Sequence, residues 1–190
     1  MKVNQIYTNF TGLVEVGKYS LFIEVDSGGA FVDDNDILEN CLMYQRIVIC
    51  GDNPFEQKEE VTKLIKAINT RNDKIYIDIY TNGKNKPNSL FKNVKYYVIF
   101  DCDIGKEVKI KDDYIDWFIG MDSYFIFNIV IEDQIDKVNT IISTYMIPRK
   151  NVFLSTTIED IEKLKQLAII HKYNFCPDFK QLLWNEVPNE

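Results

Sequence analysis

One stretch constrains the fold more than any other: a short apolar run ends in a polar turn and leads into an amphipathic helix. The run spans 46–50 and the turn spans 51–54. The helix has apolar residues at intervals of three and four, namely Val61, Leu64, Ile65 and Ile68. A strand followed by a helix is half of a βαβ unit, in which the loop after the strand commonly holds ligands. We therefore expect a ligand at Gly51, Asp52, Asn53 and Pro54.

Strand and helix patterns alternate along the chain, which is typical of an α/β protein. The predicted strands are 3–7 (a short edge strand), 20–25, 46–50, 74–80, 96–100, 124–130, 152–154 and 174–177. The predicted helices are 37–43, a helix from near 55 to 69–73, 135–145, and a last helix that Thr157 caps and that carries apolar residues from Ile161 to Ile170. Residues 84–93 are predicted to be a loop or a short irregular helix, and 106–116 to be solvated surface. About six strand–helix alternations predict a parallel sheet, either open and doubly wound or curled into a partial barrel.

Charge and cysteine spacing exclude several classes of protein. A net charge of -7 argues against a general nucleic-acid-binding protein. No apolar run approaches the roughly 20 residues that cross a bilayer, and the first residues lack a secretion signal, so we expect a cytoplasmic protein without a membrane partner. The cysteines lie too far apart for a Cys-x-x-Cys motif and are expected to be reduced and mostly buried: Cys41, Cys50, Cys102 and Cys176. His171 is interpreted as a favourable charge near a helix C-terminus rather than as a catalytic base.

An acidic cluster precedes the first predicted helix and allows two interpretations. Asp33 and Asp36, with Asp34 between them, offer the hard oxygen ligands that Mg²⁺ or Ca²⁺ prefers. The same carboxylates would also suit the N-cap and first turn of the helix.

Two predicted turns allow a similar pair of interpretations. Asp52 and Asn53 would either hydrogen-bond a ligand or cap the following helix. Thr81, Asn82 and Gly83 follow a strand on the expected ligand side, although turn chemistry alone would also explain them. Several tyrosines would either fill the core or stack on a purine-like ligand: Tyr76, Tyr80, Tyr96 and Tyr97.

With these elements placed, the chain resembles the radical S-adenosylmethionine superfamily, and within it the 7-carboxy-7-deazaguanine synthases. The opening strands 3–7 and 20–25 are similar, as are 152–154 and the ending 175–184. Residues 50–54 stand where that family has Thr-Gly-Gly-Glu-Pro, and 80–83 stand where it has Glu-Thr-Asn-Gly. The resemblance implies a single radical-SAM-like domain over 1–190, with a partial (β/α) barrel of about six mostly parallel strands.

The departures from the family pattern bear on chemistry. The family holds a four-iron, four-sulfur cluster through Cys-x3-Cys-x2-Cys, and the matching positions here are Gly28, Val32 and Asn35. Asp36 matches the aspartate that follows the third cysteine, but Ile37 replaces a threonine that helps to hold magnesium. In the two turns, Asp52 replaces a glycine, while Asn53 and Tyr80 each replace a glutamate. The resemblance thus implies the fold and argues against the cluster.

These observations lead to three functional hypotheses. The first is a non-catalytic protein on a degenerate radical-SAM fold, without the iron–sulfur cluster, that binds a small molecule or a protein. The second is a repurposed enzyme acting on a nucleotide or deazapurine-like substrate without radical chemistry, with Asp33, Asp36 or Asp52 handling a divalent cation or protons. The third is a scaffold that pairs with an active paralogue, and a homodimer is plausible because family members often form one. In the first two, the ligand residues are Gly51–Pro54 and Tyr80–Gly83.

Overall fold

The computed structural model describes residues 1–51, 53–88, 91, 93–102, 111–129, 133–155 and 161–176. Within these residues the strands are β1 (Lys2–Phe10), β2 (Tyr19–Val25), β3 (Ala30–Phe31), β4 (Arg46–Cys50), β5 (Tyr76–Thr81), β6 (Val94–Asp101), β7 (Tyr124–Asn128), β8 (Val152–Ser155) and β9 (Asn174–Phe175). The α-helices are α1 (Asp34–Cys41), α2 (Lys58–Arg71), α3 (Asp112–Gly120), α4 (Gln134–Thr144) and α5 (Ile161–His171). Short 3₁₀ helices span Pro54–Gln57 and Arg149–Asn151.

The strands form a mostly parallel sheet in the order β3-β1-β2-β4-β5-β6-β7-β8-β9. Strands β2, β4, β5 and β6 run parallel to one another, as do β7, β8 and β9. Only β1 pairs antiparallel among the described strands, with β2 on one side and β3 on the other. The sheet is not closed into a barrel, and the predicted α/β fold with a partial barrel of mostly parallel strands is confirmed.

The chain divides into two compact units. The first contains residues 1–10 and 18–98, and the second contains 11–17 and the described residues from 99 onward. The first unit therefore holds β1 to β5, most of β6, α1 and α2. The second unit holds the end of β6 and the elements from α3 to β9. The expectation of a single domain over 1–190 stays a prediction.

The sheet of the first unit has two different faces. On the first, which we call the helix-covered face, the side chains are apolar and at most 3% exposed: Leu21, Ile23, Ile47, Ile49, Ile77 and Ile79. The connections through α1 and α2 join neighbouring parallel strands in the same direction, so right-handed crossovers place both helices on one face, where they contact each other. Their buried residues, such as Ile37 of α1 and Ile65 of α2, complete this core.

The alternate residues of the same strands form a second face, which we call the polar face. The strand registers place Phe22 level with Val48 and Tyr7, and Glu24 level with Cys50. Asp78 and Tyr80 of β5 and Tyr97 of β6 lie on this face too. Its side chains at the carboxyl ends of the strands, Glu24, Cys50 and Tyr80, are only half-buried.

In the second unit, phenylalanines of neighbouring strands form the centre of the core. The ring of Phe100 stacks on that of Phe127, with centroids 4.6 Å apart and planes within 6°. The ring centroid of Phe125 lies 6.3 Å from that of Phe100. Helices α3 and α4 add buried side chains such as Phe118 and Val138.

Two predictions about the elements were wrong. Strand β1 is longer than 3–7 and is not an edge strand, because the two-residue β3 pairs with its outer side. Part of the segment that was predicted to be solvated surface forms α3. Ile115 and Phe118 are buried and form the apolar face of this helix, although aspartates surround them in the sequence. None of the helices in the described ranges is long and apolar enough to cross a membrane. Most of the ending 175–184 that resembles the family, from residue 177 onward, lies outside the described residues.

Candidate functional site

The turn after β4 is shaped by a glycine that no other residue can replace without strain. Gly51 has φ of 122°, a conformation that L side chains rarely adopt. A Cβ at this position would overlap the carbonyl oxygen of Val25 at the end of β2. The backbone at the end of β4 therefore lies directly against the backbone at the end of β2.

A polar pocket of about 210 Å³ lies beside this contact, and we call it the β2–β4 pocket. One wall is the end of β2 and the turn after it, with Glu24, Val25, Asp26 and Ser27. The other wall is the turn after β4 and the 3₁₀ helix, with Gly51, Asn53, Glu56 and Gln57. The pocket thus includes two of the predicted ligand residues, Gly51 and Asn53. Pro54 is buried at the start of the 3₁₀ helix, and Asp52 lies outside the described residues.

Asn53 is the buried polar side chain of this pocket. It is 7% exposed, and its Oδ1 accepts no hydrogen bond within the described part of the chain. Asn53 occupies the N-cap position of the 3₁₀ helix but makes no capping hydrogen bond with its side chain. A buried amide oxygen without a donor costs about 1–3 kcal/mol, so Asn53 carries unmet hydrogen-bonding capacity in the wall of the pocket.

Gln57 builds the opposite part of the wall. Its Nε2 donates to the carbonyl oxygen of Lys2 at 2.8 Å, and its Oε1 accepts from the Lys2 backbone N–H at 2.7 Å. The side-chain amide therefore pairs with β1 as a neighbouring strand would. These two hydrogen bonds fix the orientation of the Gln57 side chain without help from any ligand.

The pocket is acidic. Glu24, Asp26 and Glu56 supply three carboxylates, and no Lys, Arg or His is among the lining residues that the structure describes. Gln5 Nε2 donates to Glu24 Oε2 at 2.7 Å, and Asp26 Oδ1 accepts from the Gly28 N–H at 2.8 Å. These neutral donors orient the two carboxylates but leave their charge in place.

Aromatic side chains lie on the polar face of the sheet next to the pocket. Tyr7 stacks on Phe22 with ring centroids 5.2 Å apart, and Tyr80 meets Tyr97 edge-on at 5.0 Å. Burial, with the nearby Cys50 and Glu24, raises the pKa of Tyr7 to about 12, so its hydroxyl keeps its proton at neutral pH.

The second predicted turn, Tyr80–Gly83, follows the strand next to β4. Gly83 N–H donates to Thr81 Oγ1 at 3.2 Å, and Lys84 N–H donates to Asn82 Oδ1 at 3.0 Å. Both side chains therefore hold the turn itself, and Thr81 is 1% exposed. Tyr80 is half-buried on the polar face, and the role of these residues toward a ligand stays a prediction.

The acidic cluster before α1 supplies a helix cap. Asp33 accepts at 2.8 Å from the Asn35 N–H as the N-cap of α1, and Asp34 accepts from the Met1 ammonium at 2.8 Å. Asp36 is exposed in the first turn. In the ranges that the structure describes, no group of three or more His, Cys, Asp or Glu side chains is placed to hold a metal ion. A divalent cation at Asp33 and Asp36 stays a prediction.

The residues at the family's cluster positions do not fit an iron–sulfur cluster. Gly28 is exposed in the turn after β2, the N–H of Val32 donates to the Met1 carbonyl oxygen at 3.0 Å, and Asn35 lies in the first turn of α1. None carries a thiol, which is the ligand that such a cluster needs.

The four cysteines form no disulfide, in agreement with the prediction of reduced thiols, and they lie elsewhere. Cys41, Cys102 and Cys176 are buried and Cys50 is half-buried. Burial raises the pKa of Cys41 to about 12, which keeps its thiol protonated.

His171 lies at the end of α5, as predicted, and belongs to a cluster that the sequence patterns did not reveal. Its ring stacks on Tyr173 at 5.9 Å, and its carbonyl oxygen accepts from Arg149 at 3.1 Å. Tyr173 donates to Asn139 Oδ1 at 2.7 Å. These side chains lie in an open groove on the second unit, and their mutual contacts account for their positions.

The protein has a QueE-like α/β fold. This is the kind of fold that the resemblance to radical S-adenosylmethionine enzymes implied. The structure is similar to the crystal structure of QueE from Escherichia coli, with a TM-score of 0.70. The match covers 93% of this chain and 92% of that chain at 12% sequence identity, so it establishes the fold. No protein-family model matches the sequence, and no curated protein matches it.

The sequence patterns located the turn after β4 but missed most of the pocket. Glu24 and Asp26 come from the end of β2, and Glu56 and Gln57 come from the 3₁₀ helix. One signal was present: a right-handed β2–α1–β4 crossover makes β2 and β4 neighbours, which brings their carboxyl ends together.

Proposed function

We propose that the protein binds a small molecule at the carboxyl ends of β2, β4 and β5, without an iron–sulfur cluster and without radical catalysis. One observation carries the proposal: the β2–β4 pocket is lined by Asn53, whose buried Oδ1 has no hydrogen-bond partner in the described residues, beside the backbone contact at Gly51. In parallel α/β sheets, ligands usually lie at this end of the strands.

We propose that radical catalysis is absent because of the side chains at the positions where the family binds its cluster. Reductive cleavage of S-adenosylmethionine needs an electron from the cluster, because the cofactor carries that step. Gly28, Val32 and Asn35 have no side chain that binds iron. We infer that the protein is a degenerate member of this fold class.

A second candidate is a repurposed enzyme acting on a nucleotide or deazapurine-like substrate. The half-buried ring of Tyr80 on the polar face favours it, since an aromatic ring can stack on a planar base.

The remaining expectations are proposals too: a single domain, a cytoplasmic location, and a protein partner or a second copy of the chain. Sedimentation of the purified protein tests the last of these. A concentration-independent monomer would contradict the homodimer.

The first test is anaerobic reconstitution with iron and sulfide. We expect no brown cluster absorbance in the desalted protein. A stable cluster bound at one per chain would overturn the proposal.

The second test measures ligand-induced stabilisation in wild type and in Asn53→Leu. A ligand at 100 times its Kd adds about 2.7 kcal/mol to the free energy of unfolding, which a thermal-shift assay detects. The panel contains S-adenosylmethionine, deazapurines, nucleosides, aliphatic amines and divalent cations. We expect Asn53→Leu to stabilise the free protein, because it removes a buried unpaired oxygen, and to abolish the ligand shift.

Asn69→Leu is the matched control. Its Oδ1 is also buried without a hydrogen-bond partner in the described residues, but it lies on α2 and does not line the pocket. This variant should keep the ligand shift. A panel with no shift that depends on Asn53 would contradict the proposed function.

A further inference from the structure

Strand β3 covers the outer side of β1 only at its beginning. The two strands pair at Lys2 and Val3 and at no other described position. Gly29, which precedes β3, lies against the backbone of Val3 and Asn4 and occupies the next position along this side. From Gln5 to Phe10, the outer side of β1 therefore has no neighbour among the strands that the structure describes. We call this stretch the free edge.

The free edge is regular, and its backbone is available for pairing. Its register with β2 is continuous over the whole stretch, because the bulge of β1 lies N-terminal to it. Outside the ladder with β2, the backbone of Ile6, Thr8 and Asn9 makes no hydrogen bond to another described residue. Such an edge presents N–H and C=O groups to an extended chain that comes alongside.

The free edge lacks the features that usually keep a second chain away from an edge strand. Natural edge strands are commonly very short, or they carry charged residues or proline. The end strands of the sheet order, β3 and β9, have two residues each. The free edge is the longer sequence Gln5-Ile6-Tyr7-Thr8-Asn9-Phe10, which contains no charged residue and no proline. Its composition therefore favours pairing with another strand.

An exposed aromatic patch lies at the end of the free edge. The ring centroids of Phe10 and Tyr19 are 5.7 Å apart, and that of Tyr19 lies 5.9 Å from Tyr44. Phe10 is 50% exposed, Tyr19 is 57% exposed, and Met43, the chain neighbour of Tyr44, is 71% exposed. Aromatic residues and methionine are enriched in protein–protein interfaces. The patch therefore adds an apolar contact surface to the backbone groups of the edge.

The free edge is complementary to a second copy of itself. Antiparallel pairing about a two-fold axis at Thr8 places Ile6 of each copy directly opposite Phe10 of the other. Both side chains lie on one face of the strand, since side chains alternate, and an aliphatic residue opposite an aromatic one stabilises a strand pair. Because the edge carries no charge, no like charges meet across the axis.

We propose that two copies of the chain pair antiparallel through the free edges of β1 and form a homodimer. The pairing uses the free edge of each copy once, so the assembly stops at two chains. It is separate from the β2–β4 pocket and goes beyond the proposed small-molecule binding. It also gives the proposed second copy of the chain a defined surface.

The experiment is a charge exchange at Thr8, which is exposed and lies on the proposed axis. Sedimentation equilibrium of the full chain gives the Kd of the dimer. Thr8→Lys and Thr8→Glu should each raise this Kd at least tenfold, because like charges then lie directly opposite each other. An equal mixture of the two variants should dimerise again, since opposite charges then meet, and a misfolded variant would not be rescued in this way.

Thr70→Lys is the matched control. Thr70 is exposed in the last turn of α2 and lies outside the free edge. This variant introduces the same charge as Thr8→Lys and should dimerise as wild type does.

The possible outcomes separate the surface from the homodimer and from the ligand. A wild type that stays monomeric at every concentration would overturn the proposal and leave the edge to an extended segment of another protein. A dimer whose Kd is the same in Thr8→Lys and Thr8→Glu as in wild type would overturn the proposed surface while the homodimer stands. A mixture that does not recover dimerisation would overturn the two-fold pairing at Thr8. The proposed function is tested independently by the ligand shifts that depend on Asn53.

Discussion

The two faces of the first unit's sheet differ although they share the same strands. On β4 and β5, Ile49 and Ile79 point to the helix-covered face and are 0% exposed. Their chain neighbours Cys50 and Tyr80 point to the polar face and are half-buried. Because side chains alternate along a strand, one backbone supports an apolar core on one side and, at the carboxyl ends of the strands, half-buried polar side chains on the other.

One charged residue on the polar face is buried, and it gives the largest predicted effect. Asp78 lies on the polar face but is 2% exposed, with Arg46 Nη1 at 2.5 Å and the Tyr97 hydroxyl at 3.5 Å. Asp78→Ala would leave the guanidinium of Arg46 in a largely buried place without its partner. We expect a loss of about 3–5 kcal/mol in the free energy of unfolding, measured by urea denaturation.

The double variant Asp78→Leu with Arg46→Met tests the cause of that loss. Replacing both members of a buried pair by apolar side chains is often close to neutral. The double variant should therefore recover most of the lost stability. A loss below about 1 kcal/mol in Asp78→Ala would show that the pair is not needed.

A smaller effect is expected from a single methyl group on the helix-covered face. Ile79→Val should cost about 0.5–1.5 kcal/mol, because it leaves a small cavity under the helices. The same substitution at Ile169, which is 68% exposed, should stay within about 0.5 kcal/mol of wild type. Equal unfolding free energies for the two variants would contradict the assignment of Ile79 to the covered core.

The smallest effect concerns alkaline pH and Tyr7. Its pKa rises from 10.0 to about 12 on folding, so the folded state keeps a proton that the unfolded state releases. The associated stability is complete below pH 10 and is lost as pH rises toward 12. Tyr7 is half-buried and solvent screens the effect, so we expect a contribution of about 1 kcal/mol.

Tyr7→Phe removes this titration. Urea unfolding between pH 9 and 12 should show a shallower fall in stability for the variant than for wild type, whatever the offset at neutral pH. Parallel curves across this range would mean that the hydroxyl of Tyr7 is not perturbed by folding.

Much of the fold was predictable because its elements have strong local patterns. The alternation of Ile75, Ile77 and Ile79 predicted β5, and the spacing of Val61, Leu64 and Ile68 predicted α2. Helix α3 was missed because Asp112, Asp113 and Asp116 obscure a short apolar face. The pairing of β1 with β3 was missed because β3 has only two residues and is too short to give a periodic pattern.

The candidate site was only partly predictable. The turn at Gly51 was marked by local residues, but the positive φ that excludes other residues depends on the position of Val25 in another strand. The acidity of the pocket depends on Asp26 and Glu56, which are 30 positions apart in the chain and meet only through the pairing of β2 with β4. Local patterns cannot report such a meeting.

The contact between Gly51 and Val25 has a consequence for redesigning selectivity. At this contact the pocket wall is main chain, which stays the same whatever side chains are placed around it. Ligand preference would therefore be altered through the wall carboxylates, and Glu56, which lies in the 3₁₀ helix and in no strand, is the position where a substitution would disturb the sheet least.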